Sequence, residues 1–357
     1  MDTLTHALSG MLLARATVAV NQHGATSQDV PSVRARMTAG LLAAAFPDLD
    51  IISHLFGPIS YLNFHRGLTH SVLILPLWAW LLALLFAALW RGRYRWQLFY
   101  GVSAMGIGVH IIGDVITAYG TMVFAPLSDY RLAWPATFII DLYFTGIIAA
   151  ALLLAWAWKK HAILISRAGM VLLISYVGLQ GYLHQQALII AKDYSQRHEL
   201  AVARLEALPQ PLSPLNWKLI VSTADEYHIA YINLLRQQPL RAGRDESLFH
   251  RIAALYQPVL QARWLIRDRF GRDEKQRRFV RAVWSQEILK DIRHFMLYPM
   301  LADLEQRDAG LCAWFMDQRF SLEGIRAPFQ FGVCRKNGSA AWRLYRRQGK
   351  QAIPLFH

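Results

Sequence analysis

Histidine and aspartate recur in the apolar half of this chain at spacings that place them on common faces. His110 and Asp114 form HxxxD, one helical turn apart, so both side chains project the same way. Asp2 and His6 repeat that spacing near the N-terminus. Asp48 and Asp50 follow Pro47, and His65, Arg66 and His70 fall within the run HRGLTH. Neutral imidazole and ionised carboxylate hold a divalent cation without thiols, and several histidines favour zinc. Such a cation acidifies bound water and polarises an ester or phosphoryl oxygen. The metal ligands expected from this pattern are His6, Asp48, His65, His70, His110 and Asp114. Asp50 is expected as an outer carboxylate or general base. Arg66, between two histidines, suits an oxygen of an anionic substrate. So many donors exceed one tetrahedral shell, which leaves two metals, or one metal with outer carboxylates, as alternatives.

Taken singly, each feature has an ordinary structural use. HxxxD is most often a local hydrogen bond, Asp141 can cap a helix, Asp48 and Asp50 can be turn residues, and Arg66 can snorkel to a lipid phosphate. His54 and His184 read as structural histidines. The surroundings add weight to the set as a whole. The only acids before residue 190 are Asp2, Asp29, Asp48, Asp50, Asp114, Asp129 and Asp141. Carboxylates in so apolar a stretch are costly to bury unless something compensates them.

The elements that must position these residues read as membrane helices. Of the 357 residues 54% are hydrophobic, high for a soluble protein. Segments 71–90, 98–118, 138–158 and 168–191 approach the ~20 apolar residues that a bilayer requires. Two shorter segments, 4–20 and 37–46, are rich in Ala, Gly and Leu, as close-packed membrane helices tend to be. The expected fold is therefore mainly α: a polytopic bundle of about six helices over residues 1–195, a linker over 196–214, and a soluble α+β domain over 215–357. Asp2 and Arg15 make the N-terminus a poor signal peptide. Arg34 and Arg36, then Arg91, Arg93 and Arg95, then Lys159, Lys160 and Arg167 occupy alternate loops. The positive-inside rule puts these in the cytoplasm. The His and Asp positions, both termini and the C-terminal domain then lie outside.

Beyond residue 195, strands are expected at 216–222 and 227–233, and again at 329–335 and 340–345 around Lys336-Asn337-Gly338. Stretches 248–256 and 278–288 look helical. Most of the net charge of +14 lies in this half. Anionic membrane lipids explain it more simply than nucleic acid, which is not an expected partner. Cys312 and Cys334 are expected as two separate buried thiols, with pairing possible if the domain is extracytoplasmic.

The ordered set MDTLTHALSG, PDLD, HRGLTHS and HIIGDVITAYG resembles the bacterial inner-membrane metal-dependent hydrolases, the LexA-regulated, membrane-associated group. The resemblance covers roughly residues 1–160. It implies His6, Asp48, Asp50, His65, His70, His110 and Asp114 as site positions. Through that group's likeness to zinc-dependent phospholipase C and related nucleases, it also implies metal-dependent hydrolysis. The leading expectation is a multi-pass inner-membrane hydrolase of phosphoester, lipid-like or other amphiphilic substrates that uses a divalent metal, zinc above all. Two alternatives stand beside it. One is an ion or metal transport pathway, which predicts ionisable residues at several depths. The other is a membrane anchor with a structural metal and a partner-binding soluble domain.

Overall fold

The computed structural model describes residues 1–19, 30–243, 245–307, 310–325, 327–339, 341–349 and 351–355. Two compact units divide the chain. The first comprises Met1–Ile52, Phe64–Gln185 and Pro209–Pro214, and the second Ser53–Asn63, Gln186–Leu208 and Leu215–His357.

The N-terminal region is helical. Its elements are α1 (Thr3–Ala16), α2 (Val33–Ala45) continuing as a 3-10 segment (Phe46–Phe56), α3 (Pro58–Phe64), α4 (Leu75–Leu89), α5 (Gln97–Val115), α6 (Leu142–Ala157) and α7 (Ala162–Arg197). Val33–Phe56, Gln97–Val115 and Lys159–Arg197 are long and apolar enough to cross a bilayer. Pro58–His70 and Leu75–Leu89, bent by 78° at a short break, would together make a fourth span. Among the described residues the count is three or four, below the six expected. Length explains the difference. With 14 and 16 residues, α1 and α6 reach only about 21 and 24 Å, short of the ~30 Å hydrocarbon layer. The expected segment 4–20 ends as helix at Ala16, and Val20 lies outside the described residues. Segment 138–158 becomes helical only at Leu142, because the Asp141 carboxylate caps it by accepting from Tyr143 N and Phe144 N.

Missing side chains draw α1, α2 and α5 together. A Cβ on Gly40 would lie 2.5 Å from Gly10 O, one on Gly10 would overlap Gly40 O, and one on Gly106 would lie 2.8 Å from Ala43 Cβ. Backbones touch there, as small residues permit in membrane bundles. His6 precedes Gly10 by about one turn and His110 follows Gly106 by about one turn, so the same crossing brings the two rings face to face. At the other helix ends the basic side chains are tied down. Arg36 Nη2 donates to Thr17 Oγ1 at 3.3 Å, Arg167 Nε to Ala16 O at 3.0 Å, and Arg15 Nη2 to Ala155 O at 2.9 Å. Tyr94, in the loop of Arg91, Arg93 and Arg95, accepts from Ser32 N at 3.3 Å beside the start of α2, so the basic loops gather at one end of the bundle, and the His and Asp positions at the other.

The second unit holds β1 (Arg204–Pro209), β2 (Asn216–Ser222), β3 (Glu226–Asn233), α8 (Leu248–Ala253), β4 (Gln257–Pro258), β5 (Leu265–Asp268), α9 (Glu274–Trp284) and α10 (Lys290–Phe295). After these come β6 (Pro299–Arg307), β7 (Gly310–Asp317), β8 (Gln330–Lys336), β9 (Arg343–Gln348) and β10 (Gln351–Pro354). One sheet runs β1-β2-β3-β4 with β5 also paired to β3, and the other runs β10-β9-β8-β7-β6. The 216–222 and 227–233 strands pair antiparallel over their whole length. Gly338 turns at φ 76° between β8 and β9, which begins at Arg343; Ala340, expected in that strand, lies outside the described residues. Two expectations need correction. The stretch read as linker contains β1, which pairs with β2. Cys312 and Cys334, expected as separate thiols, stand opposite each other on β7 and β8 and form a disulfide. No helical or strand spacing signals that register, which exists only once the sheet is assembled.

Candidate metal centre

Asp48, His70, His110 and Asp114 converge in the first unit, each offering a donor atom within 4.8 Å of the others. His110 and Asp114 come from the last turns of α5. His70 ends the short 3-10 turn Leu68–His70. Asp48 lies on the segment after Pro47, whose ring lacks the N–H that would continue α2 as a regular helix.

The partners behind each ring fix which nitrogen faces inward. His110 Nδ1 lies 2.6 Å from Ala44 O. A carbonyl only accepts, so Nδ1 carries the proton and Nε2 presents a lone pair. His70 Nδ1 lies 2.9 Å from Thr69 Oγ1 and 3.4 Å from Asp50 Oδ2, while the Thr69 hydroxyl donates to that same oxygen at 3.3 Å. His70 Nδ1 therefore donates as well, and its Nε2 is also a lone pair. The two Nε2 atoms are 2.9 Å apart. Asp114 Oδ2 lies 3.1 Å from His70 Nε2 and 3.4 Å from His110 Nε2, buried and, among the described residues, with no hydrogen-bond partner. Asp48 Oδ1 stands 3.5 Å from His110 Nε2 and 4.0 Å from His70 Nε2.

Four electron-rich atoms facing one another away from water repel unless a cation lies between them. Ligands about 2.0–2.1 Å from a tetrahedral zinc stand about 3.4 Å apart. The separations given above straddle that distance. Donor chemistry, spacing and the orphaned Asp114 oxygen all fit a divalent cation.

Further groups brace these four. Asp50 Oδ1 pairs with His65 Nδ1 at 2.7 Å, and Asp50 Oδ2 accepts from Arg66 N at 2.8 Å. Asp114 Oδ1 faces Arg66 Nη2 at 2.8 Å, His6 Nε2 at 3.1 Å and the Met1 amino group at 2.5 Å. Arg66 Nη1 donates to Thr117 Oγ1 at 3.0 Å, and its guanidinium lies over the Tyr119 ring. Arg66 also sits at φ 60°, the left-handed region that non-glycine residues rarely adopt. Bonds from its own N–H and guanidinium hold it there.

The structure thus gathers every residue of the expected set into one cluster but gives them different places. His6 and His65 stand outside the four-donor group: His6 stacks on His110 with centroids 3.7 Å apart, and His65 turns to Asp50. The guanidinium of Arg66, buried, faces Asp114. Sequence reasoning missed Thr69, Thr117 and the Ala44 carbonyl. Thr69 had a readable signal, since it directly precedes His70. A backbone carbonyl acceptor has none.

An apolar helical bundle enclosing a His/Asp cradle for a cation defines the class: a membrane protein with a candidate metal centre. The chain belongs to the YdjM inner membrane protein family, which matches residues 1–187 and so contains every donor described. It is also 25% identical over 238 residues to the uncharacterized protein YfhP of Bacillus subtilis (strain 168), a stretch spanning 64% of this chain and 67% of that one. No solved structure matches.

Proposed function

We propose that the chain is a membrane-embedded metal-dependent hydrolase of phosphoester or lipid-like substrates, with zinc as its cation. The facing Nε2 lone pairs of His70 and His110, completed by Asp48 and Asp114, carry this reading. A divalent cation there supplies Lewis acidity toward a phosphoryl or ester oxygen and acidifies water. The chain's own groups do the rest. Asp50 holds the His70 ring through Nδ1, as carboxylates do behind metal-binding histidines. The Asp50–His65 pair, a carboxylate held 2.7 Å from an imidazole Nδ1, is the proton acceptor. Arg66 neutralises and orients Asp114, and His6 buttresses the His110 ring.

We place the centre and the C-terminal domain outside the cytoplasm. The gathering of basic loops at the opposite end of the bundle supports the first, and the disulfide in an otherwise cysteine-free chain supports the second. One observation favours a structural metal instead, because four protein donors already complete a tetrahedron. Purified full-length protein, assayed for bound metal and for hydrolysis of a phosphoester and phospholipid panel beside His110→Ala, separates these readings. Metal and turnover lost together support the hydrolase. Metal without turnover supports the structural site, and wild type without metal removes both. A reporter fused at the C-terminus and active only outside the cytoplasm tests the orientation.

A further inference from the structure

The four donors are not equally held. His70, His110 and Asp114 have fully buried side chains, whereas Asp48 is 14% exposed. Each buried donor is braced from behind inside the protein: His110 by Ala44 O, His70 by Thr69 and Asp50, and Asp114 by Arg66 and His6. Among the described residues, the Asp48 carboxylate accepts one hydrogen bond, from Thr3 Oγ1 to Oδ2 at 2.6 Å. Asp48 Oδ1 is also the most distant donor, 3.5 and 4.0 Å from the two imidazole nitrogens, while the other three lie 2.9 to 3.4 Å from one another. Thr3 itself is exposed, in the first turn of α1. That turn is fixed by its Asp2 cap, whose Oδ1 accepts from Thr5 N at 3.0 Å.

We infer that Asp48 is the exchangeable ligand of this centre and that Thr3 is the positioning residue that holds it in place. The inference rests on the metal-dependent reading above and adds how the site opens. Three braced donors plus one loose, solvent-reached carboxylate give the arrangement that catalytic zinc sites need, in which three protein ligands stay and a fourth position is released to water or substrate. When Thr3 lets go, Asp48 swings toward solvent on the side where it is already exposed. Its departure uncovers the cation without disturbing His70, His110 or Asp114. Cation entry and exit use the same side, because the side chains of the other three donors are fully buried.

The test uses full-length protein in detergent, loaded with Zn²⁺, and follows metal release to excess chelator. Thr3→Val keeps the branched shape and removes the hydroxyl; Thr3→Ser keeps the hydroxyl. Thr3→Val is expected to release metal about tenfold faster, the lower end for loss of an outer hydrogen bond at a metal site, with unchanged stoichiometry and melting temperature. Thr3→Ser should release at the wild-type rate. Asp48→Asn should still bind metal, more weakly, while His110→Ala binds none. Cobalt absorption should differ between Asp48→Asn and wild type, as a lost ligand requires. Equal release from Thr3→Val and wild type, or release from Thr3→Ser as fast as from Thr3→Val, overturns the role of Thr3. Metal lost from Asp48→Asn as completely as from His110→Ala overturns the exchangeable ligand. A wild type that binds no metal removes the hydrolase reading itself, a result distinct from these.

Discussion

His70 and His110 point their Nε2 atoms at each other across 2.9 Å, while the Nδ1 atom of each is engaged by an acceptor behind the ring. The arrangement commits both rings to one tautomer, with two lone pairs toward the space shared with Asp114 Oδ2. The acceptors behind the rings should therefore matter almost as much as the rings. Asp50→Asn, which weakens the hold on His70, is expected to lower metal affinity about ten- to a hundredfold. His70→Ala and His110→Ala should reduce bound metal to background. Competition with a chromophoric chelator measures all three. An Asp50→Asn affinity equal to wild type would contradict the assignment of Asp50 as the orienting carboxylate.

Gly10 and Gly40 make the second prediction. Their backbones touch, so Gly40→Val must separate α1 from α2 and carry His6 off the His110 ring. Overpacking of this kind costs about 1–3 kcal/mol, and metal binding should weaken with it. Gly113→Ala acts more locally, placing a Cβ 2.9 Å from His6 Cε1. Gly108 lies in the same helix as Gly106 with nothing near its Cβ position, so Gly108→Ala should be neutral or slightly stabilising. Thermal unfolding of the three variants in detergent would show this order, and a melting point for Gly40→Val at or above wild type would remove the close-contact argument.

Asp48, His70, His110 and Asp114 were legible in the sequence for a physical reason. In a stretch with seven carboxylates, each ionisable group stands out, and i,i+4 spacing gives some of them a shared face. Sequence spacing could not sort ligands from braces. His65 and His70 look alike in HRGLTH and both reach Asp50 through Nδ1, and only the fold turns the Nε2 of His70 toward Asp114. The span count erred because apolar runs include residues that a cap excludes, as Asp141 excludes 138–141 from α6. In the second unit, the two hairpins announced themselves through turn residues. β6, with Leu, Ala, Asp, Glu and Gln along it, drew no strand expectation and becomes a strand because it pairs with β7 from Pro299↔Asp317 to Arg307↔Gly310.

Cys312 and Cys334 close a loop of sequence separation 22. Constraining the unfolded chain over such a loop contributes about 3 kcal/mol in the loop-entropy account. Protein alkylated without reductant should therefore show no modified thiol, and two after reduction under denaturing conditions. Reduction, or the double Cys312→Ser and Cys334→Ser variant, should lower the unfolding temperature of the C-terminal domain while leaving bound metal unchanged. Two free thiols in protein isolated from an oxidising compartment would remove the disulfide and, with it, one support for the extracytoplasmic placement.

Lys218 gives the C-terminal domain a pH dependence of defined sign. Its side chain is fully buried in β2, and the ammonium donates to Gln318 O at 2.6 Å, to Ser321 O at 2.8 Å and to Ser321 Oγ at 2.8 Å. Burial outweighs the nearby Asp317 and pushes the group down to about 7 from an ordinary 10.5. Between those values the unfolded chain holds a proton that the folded domain has released, so stability rises with pH from about 7 toward 10 and is flat below 7. The slope has an upper bound of about 1.4 kcal/mol per pH unit. Lys218→Met abolishes this slope but removes the buried donor shared by Gln318 O and Ser321 O, a loss of about 1–3 kcal/mol. Hydrogen exchange of the Leu219–Val221 amides, corrected for intrinsic rates, reads both effects in the full-length protein. Protection should increase from pH 7 to pH 9 in wild type and stay level, at a lower value, in Lys218→Met. A wild-type profile that falls over that interval would mean that the ammonium is the form the fold prefers.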